Sequence, residues 1–239
     1  MESRFSESRF DENIFNDLAA VVKGFAVMPA EPGTSRKAQA AQTEVALKEA
    51  ARRVFARNGY HGAKITDITT EAGRSAGSFY KHFAGKDDVL RALLADWLAQ
   101  AGAELAADPA GDDLSQEPAL RARVAAYWHT YRAHLPEIRA LGEAAQVDPA
   151  FAESLAAMRH AGLATMRRHL ERLRDTGHTL PGDPAVLASA FNALLEGFCQ
   201  VWIAGGGEPI GRPLGDEEAI DTLTRLLMHG LAGQRQDPG

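Results

Sequence analysis

Apolar residues recur at intervals of three and four through nearly all of the chain beyond residue 35, the spacing that gathers them on one face of a helix. No segment shows the strict alternation of apolar and polar residues that is typical of a strand. The chain has 239 residues, enough for one large domain or for a small domain joined to a larger one. The sequence therefore predicts an all-α fold.

Composition narrows the class of protein further. Hydrophobic residues make up 45% of the chain and charged residues 24%, which excludes a mostly disordered, collagen-like or coiled-coil chain. The single cysteine, Cys199, excludes an intramolecular disulfide and a thiolate zinc site, and it fits a reducing compartment. The most apolar stretch, residues 186–204, is interrupted by Asn192, Glu196 and Gln200, and the acidic N-terminal stretch lacks the pattern of a secretory signal. We expect a cytoplasmic protein that makes no membrane contact.

The net charge of −6 hides an uneven distribution. Residues 36–86 contain ten Lys and Arg and four Asp and Glu, a local charge of +6, so the remainder carries −12. A basic segment on an acidic chain is typical of a protein that binds a phosphate backbone, because its cations displace counterions condensed on nucleic acid. Solvated helix faces can also be basic, so the charge alone leaves both interpretations open.

The two ends of the chain have the composition of appendages. Residues 1–33 contain a short repeat and close with two prolines and a glycine, so we expect a flexible or loosely helical tail, with Met28 as an alternative start. A second tail is expected over residues 234–239. The first strong helical pattern, from about residue 35, ends at Asn58-Gly59 because glycine can adopt the left-handed conformation of a C-terminal cap.

Two short helical segments then meet across a tight turn. The first, residues 65–72, has Thr66 in position to be its N-cap. The pair at residues 73–74 breaks the helix, and Ser75 is a good N-cap for a second helix over residues 76–83. This is the outline of a helix-turn-helix, although a chance pair of core helices has the same bare pattern. The second helix exposes small or polar groups that can approach base edges, namely Ser75, Ser78, Lys81 and His82.

The rest of the chain is also expected to be helical. A longer helix starts at Lys86, and a connector rich in Asp, Pro and Gly covers residues 107–117. Apolar stripes predict further helices over approximately residues 124–135, 136–147, 151–175, 184–204 and 216–231.

Several short motifs at fixed spacings coincide between residues 40 and 90. They are Phe55-Ala56-Arg57-Asn58-Gly59-Tyr60, Ile65-Thr66-Asp67-Ile68, Ala72-Gly73-Arg74-Ser75, Gly77-Ser78-Phe79-Tyr80-Lys81-His82-Phe83, and Lys86. In this combination they resemble the DNA-binding domain of the TetR family of bacterial transcriptional regulators. Four positions depart from the family's common pattern: Arg74 replaces an apolar residue, Ala76 replaces a lysine, and Ala84-Gly85 replace Pro-Ser. The operator sequence therefore does not carry over from relatives.

The resemblance implies a division of labour between two domains. It implies a helix-turn-helix DNA-binding domain over residues 34–85 and a helical ligand-binding and dimerisation domain over residues 86–233. The implied protein is a homodimer that binds a palindromic double-stranded operator, represses transcription, and leaves DNA when a small-molecule effector binds. The alternative is a constitutive DNA-binding protein or an activator without an effector.

The resemblance also assigns residues to the two binding functions. Thr66, Tyr80 and Lys86 would contact phosphates. The residues nearest the bases would be Ser75, Ser78, Lys81 and His82, with Arg74 beside them. The full set at DNA is Thr66, Arg74, Ser75, Ala76, Gly77, Ser78, Tyr80, Lys81, His82 and Lys86. The aromatic and Met side chains that line an effector pocket, or alternatively pack a core, are Trp97, Tyr127, Trp128, Tyr131, Phe151, Met158 and Phe191.

Catalytic and metal-binding hypotheses find little support. None of the eight histidines belongs to an HExxH motif, and no nucleophile, base and orienting group form a recognisable set. Gly205-Gly206-Gly207 precedes Pro209 and reads as a connector, not as a phosphate loop. Cys199 is interpreted as a small buried hydrophobe, with a redox sensor as the alternative. We therefore expect no enzyme activity, no metal and no cofactor.

Overall fold

A computed structural model describes residues 35–107, 113–207 and 212–231, and within these ranges the chain is helical throughout, with no strand. The all-α prediction is confirmed. The predicted tails, residues 1–33 and 234–239, lie outside the described residues. The helices are α1 (Ser35–Gly62), α2 (Ile65–Glu71), α3 (Ala76–Phe79), α4 (Lys86–Ala107), α5 (Glu117–Ala133), α6 (Leu135–Ala145), α7 (Pro149–Asp175), α8 (Pro184–Cys199) and α9 (Asp216–Leu231).

The chain divides into two compact units. Among the described residues, the first contains residues 35–106 and 136–158, and the second contains residues 107, 113–135, 159–207 and 212–231. The first unit therefore combines α1 to α4 with α6 and the start of α7, although α6 lies far along the chain from α1. The predicted boundary between the DNA-binding and ligand-binding domains, at residues 85 and 86, concerns function and not compactness, so it stays a prediction.

The core of the first unit is built from the apolar faces that the sequence pattern indicates. On α1, Leu47, Ala50 and Val54 are completely buried, because their spacing places them along one side of the helix. Ile68 of α2 and Phe79 of α3 pack in the same buried cluster. The two short helices are thus fixed by burial of large side chains, since helices this short have little stability of their own.

A kink at Gly59 interrupts α1. Its φ of +67° lies in the left-handed region, which confirms the break predicted at Asn58-Gly59, although helical turns resume as far as Gly62. Tyr60 then turns inward and is 4% exposed. Its ring packs against Phe55, with centroids 5.9 Å apart, and against Phe151, with centroids 6.2 Å apart.

In the second unit, α5 and α9 are joined by polar as well as apolar contacts. The buried Trp128 donates from its indole Nε1 to Asp216 Oδ1 over 2.9 Å, which satisfies a donor that burial would otherwise leave unpaired. Arg121 binds Asp221 over 2.9 Å and also contacts Glu217. Ile220 and Leu223 supply the apolar part of the contact face of α9.

Helix α8 is apolar but mostly uncovered within one chain. It continues through a π-helical turn, Gln200–Ala204. The combined segment Pro184–Ala204 has 21 residues and a mean hydropathy of 1.4, so by length and composition alone it is able to cross a membrane, and 22% of its most apolar window is buried. That criterion is weak, because core and interface helices of soluble proteins meet it too.

Candidate nucleic-acid interface

The turn between α2 and α3 has the geometry of a helix-turn-helix. Gly73 has a φ of +61°, which reverses the chain without the steric cost that a Cβ would bring. The Arg74 amide donates to Thr69 O over 2.9 Å and so closes the end of α2. Ser75 then caps α3 as predicted, because its Oγ accepts the amide of Ser78 over 3.2 Å.

Helix α3 is shorter than the predicted span of residues 76–83. It is α-helical from Ala76 to Phe79 and continues as a turn, in which the amides of His82 and Phe83 donate to Phe79 O over 2.9 and 3.0 Å. The buried rings of Phe79 and Phe83, with centroids 5.8 Å apart, anchor this segment. The anchoring leaves the opposite edge free to face a partner.

The predicted DNA-contacting residues of α3 and its flanks lie on that edge. Tyr80 is 60% exposed although it is a large aromatic residue next to a fully buried one. Ser78 and His82 are half-buried, and the ring of His82 lies 6.3 Å from that of Phe83. The fully exposed members of the set are Arg74, Ser75, Ala76, Gly77 and Lys81.

The predicted N-cap of α2 is wrong by two residues. The helix begins at Ile65, so Lys64 is the N-cap and Thr66 is the second helical residue, where it is exposed. Asp67 explains the earlier start, because its Oδ2 accepts the Lys64 amide over 3.2 Å and satisfies a donor at the helix end. Lys64 is an exposed cation at this edge that the sequence reasoning missed, and the only signal for it was its place before a helix.

Lys86 is engaged within the first unit. Its Nζ donates to Tyr60 O over 2.8 Å and to Ala63 O over 3.3 Å, and it lies 4.6 Å from the centroid of the Tyr60 ring. The Tyr60 hydroxyl in turn donates to Asp87. Burial, reinforced by Asp87, raises the pKa of the Tyr60 hydroxyl, so the phenol stays protonated. The phosphate contact inferred for Lys86 stays a prediction.

Much of the positive charge on α1 is neutralised by carboxylates. Arg53 and Arg57 both bind Glu71, over 2.8 and 3.2 Å, and their hydrogen bonds hold the pKa of the Glu71 carboxyl below its usual value. Lys48 binds Asp96 over 2.7 Å. Within the described part of the chain, the cations around the helix-turn-helix that make no ion pair are Lys64, Arg74, Lys81 and Lys86. Because Lys86 is held by backbone carbonyls, the positive charge most available for a phosphate backbone is that of Lys64, Arg74 and Lys81, around α2 and α3.

The predicted pocket residues divide between the two units. In the first, Phe151 belongs to the buried core with the Arg91 guanidinium 4.7 Å from its ring centroid, and Trp97 and Met158 pack partly buried against that core. In the second, Phe191 is buried on α8. Their assignment to an effector pocket stays a prediction.

Two tyrosines on α5 form the most polar part of the predicted pocket set. The rings of Tyr127 and Tyr131 stack with centroids 6.4 Å apart, and the Tyr131 hydroxyl lies 2.9 Å from Gln200 Oε1, to which it donates. Tyr127 is only partly exposed, and burial raises the pKa of its hydroxyl. A neutral phenol on the wall of a cavity can donate a hydrogen bond to a ligand.

Among the residues that the structure describes, no group of three or more His, Cys, Asp or Glu side chains is arranged to hold a metal ion. The one described thiol, Cys199, is buried. The groups at the exposed edge of α2 and α3 are hydroxyls, an imidazole and cations, which can form hydrogen bonds and ion pairs with a partner.

Comparison with known proteins gives consistent matches. The family model described as "Bacterial regulatory proteins, tetR family" matches residues 47–93. The transcriptional regulator EthR of Mycolicibacterium smegmatis is 24% identical over 193 residues, 80% of this chain and 86% of EthR. The transcriptional repressor AcnR of Corynebacterium diphtheriae is 28% identical over 166 residues, 67% of this chain and 80% of AcnR. The structure of AibR in complex with isovaleryl coenzyme A and operator DNA is similar with a TM-score of 0.60 at 21% identity, covering 78% of this chain and 98% of AibR.

Proposed function

The chain belongs to the TetR family of bacterial regulatory proteins, and on this premise we propose that it is a homodimeric repressor whose DNA affinity falls when a small molecule binds. The family consists of transcriptional regulators, so the chain is a DNA-binding regulator and not an enzyme. In this proposal the operator is a short palindrome, residues 34–85 bind it in the cytoplasm, and residues 86–233 bind the effector and dimerise.

The main support for the proposed DNA-binding residues is the difference between the two sides of α3. One side is anchored by buried Phe79 and Phe83, and the other presents exposed Tyr80 and Lys81. A rigid element with a small, polar outer edge is suited to the major groove, where base edges offer hydrogen-bond donors and acceptors. The cations without ion pairs described above supply attraction to phosphates on either side of that groove.

Low burial of the apolar helix α8 supports the homodimer. Only 22% of the most apolar window of Pro184–Ala204 is buried, and a largely uncovered apolar surface is typical of a protein interface. Val186 on α8 and Leu226 on α9 belong to this surface, with 66% and 56% of each residue exposed. A second copy of the chain would cover them by packing α8 and α9 against their symmetry mates as a four-helix bundle. The recognition helices of such a dimer would lie about 34–36 Å apart, or a simple multiple of that distance, to reach successive major grooves.

Two arguments support a small-molecule effector. AibR, which has a similar fold, was solved with both isovaleryl coenzyme A and operator DNA. In this chain, the stacked Tyr127 and Tyr131 place phenol groups among apolar side chains, which is the mixture that pockets for organic ligands use.

The DNA-binding proposal is tested by Lys81→Ala and Tyr80→Phe. Each removes one donor from the outer edge of α3 while the buried anchors stay in place, so we expect operator affinity to fall by about tenfold with little change in melting temperature. Operator fragments selected from genomic DNA with the wild-type protein, followed by gel-shift titration, provide the measurement. Arg174→Ala is the matched control, since it removes an exposed cation of α7 in the second unit.

Normal operator binding by both variants would contradict the assignment of these residues. The effector is addressed separately by a thermal-shift screen of small molecules, because a ligand that binds the folded state raises its melting temperature. A compound that raises the melting temperature and releases DNA supports a ligand-responsive repressor. A screen in which no compound does either favours the alternative, a constitutive DNA-binding protein or an activator without an effector.

A further inference from the structure

The short segment between the kink in α1 and the start of α2 is held from both sides. Its backbone amides face α6, and its backbone carbonyls face the start of α4. Glu143 of α6 binds the amides, and Lys86 of α4 binds the carbonyls. The segment therefore lies between an anion and a cation that come from two different helices.

The contact with Glu143 is specific in its geometry. Glu143 Oε2 accepts the Tyr60 amide over 2.8 Å and the His61 amide over 3.2 Å. A Cβ at Gly59 would lie 2.9 Å from Glu143 Oε1, closer than side-chain carbons normally approach an oxygen. Gly59 is thus needed for the approach of the carboxylate as well as for its positive φ.

These contacts hold the segment from which α2 departs. After the break at Gly59, amides that no longer have helical partners need an acceptor, and a carboxylate is a stronger acceptor than water or a neutral group. Ile65, the first residue of α2, follows within a few residues, so the direction of this segment determines the direction of α2. A second carboxylate of α6, Glu137, binds Arg52 of α1 over 2.5 Å and fixes α6 against the same helix.

We propose that Glu143 is a positioning residue for operator binding. By holding the Tyr60 and His61 amides it fixes the angle at which the helix-turn-helix leaves α1, without touching DNA itself. This inference rests on the proposed function, because its effect on DNA requires that α2 and α3 bind an operator. The effect comes through the two hydrogen bonds, which the negative charge strengthens, so a neutral side chain with a carbonyl oxygen at the same place retains most of it.

The test compares Glu143→Ala, Glu143→Gln and the control Glu153→Ala. Glu153 is an exposed acid at the start of α7 in the first unit, so its removal changes the net charge equally. We expect Glu143→Ala to weaken operator binding by about tenfold, since two charge-assisted hydrogen bonds are lost. Glu143→Gln, whose Oε1 can accept the same amides, stays within about threefold of the wild-type affinity.

Binding to random duplex DNA separates positioning from loss of folded protein. Non-specific binding depends on phosphate contacts and tolerates a change in the angle of α2, whereas a smaller folded fraction weakens both kinds of binding equally. Glu143→Ala should therefore lower operator affinity while leaving random-duplex affinity and its salt dependence as in Glu153→Ala. Equal losses on both DNAs, or a Gln variant as weak as the Ala variant, would overturn the proposal.

Amide hydrogen exchange gives a readout that does not depend on any operator. The Tyr60 and His61 amides should exchange faster in Glu143→Ala and at the wild-type rate in Glu143→Gln and Glu153→Ala. Failure of the wild-type protein to select an operator would refute the proposed function, and with it the DNA part of this inference. Unchanged exchange in Glu143→Ala would refute the inference alone.

Discussion

Cys199 lies on the buried face of α8 and none of its surface reaches solvent. Burial raises the pKa of its thiol to about 12, with a small opposing effect from Arg132. A thiol with that pKa carries almost no thiolate at neutral pH, and thiolate is the reactive form. We expect native protein at pH 8 to react with a disulfide reagent such as DTNB only as fast as it unfolds.

Urea-unfolded protein is the control. Its exposed thiol has the ordinary pKa of cysteine, so it should react with the reagent much faster than the thiol of the native protein. Fast reaction of the folded protein, or a change of DNA affinity on mild oxidation, would favour the redox-sensor alternative over a packing role.

Some features of individual residues could be predicted from the sequence, and others could not. The positive φ of Gly59 and the cap at Ser75 were predictable, because both depend on the residue's own chemistry and its immediate neighbours. The N-cap at Lys64 was not, since Asp67 satisfies the Lys64 amide and outweighs the better intrinsic capping residue, Thr66. The contact of Glu143 with the Tyr60 amide also could not be predicted from the sequence, because the two residues are more than eighty positions apart in the chain.

At the scale of elements, Glu71 connects the end of α2 to α1. Its carboxylate binds Arg53 and Arg57, which are 52% and 56% exposed. We expect Glu71→Gln to raise the affinity for random duplex DNA and to steepen its salt dependence by up to about two counterions, because two arginines become available to phosphates. Filter binding or fluorescence anisotropy across a salt series measures both quantities.

Glu153→Gln removes the same charge without releasing an arginine, so it isolates the effect of the two ion pairs. A salt slope for Glu71→Gln that equals the slope of this control would show that Arg53 and Arg57 lie outside the DNA-binding surface.

Helix boundaries were less predictable than helix existence. The period of three to four residues identified α1, α4 and α7, whose apolar faces are long enough to average over single residues. The α-helical part of α3 ends at Phe79 instead of residue 83, since packing of two rings and not helical propensity holds this segment. The π-helical turn after α8 has no marker in the residue pattern, because it adds one residue to a helical turn without changing which residues are apolar.

At the scale of the whole molecule, the exposed apolar faces of α8 and α9 predict behaviour that depends on concentration. We expect Leu226→Asp to be monomeric, because a charge at the centre of an apolar interface would be buried without a partner. Wild-type protein should be dimeric and should melt at a temperature that rises with concentration. Sedimentation equilibrium and thermal scans at several concentrations provide the measurements.

Leu155→Asp is the matched control. Leu155 is also an exposed leucine, 40% exposed on α7, but it lies in the first unit and outside the proposed interface. A dimeric Leu226→Asp variant, or a monomeric wild-type protein, would contradict the interface. The monomer should also lose operator affinity, because one recognition element reads one half-site.

The sequence was sufficient to predict the fold class, but not which helices pack together in each unit. Periodicity was sufficient to predict an all-helical chain. The inclusion of residues 136–158 in the same unit as α1 was not predictable, because it depends on contacts such as Arg52 with Glu137 between distant parts of the chain. Ion pairs between distant residues produce no periodic pattern in the sequence. The pattern therefore identifies the helices more readily than it identifies which helices pack against each other.

In the proposed role, in which the chain finds one short operator on a bacterial chromosome, the carboxylates that accompany the cations of α1 have a consequence. A chromosome offers on the order of a million or more competing stretches of duplex, and a fully basic surface would be retained on all of them. Because Lys48, Arg53 and Arg57 are paired with Asp96 and Glu71, we expect encounters with irrelevant duplex to be shorter than they would be for a surface of unpaired cations.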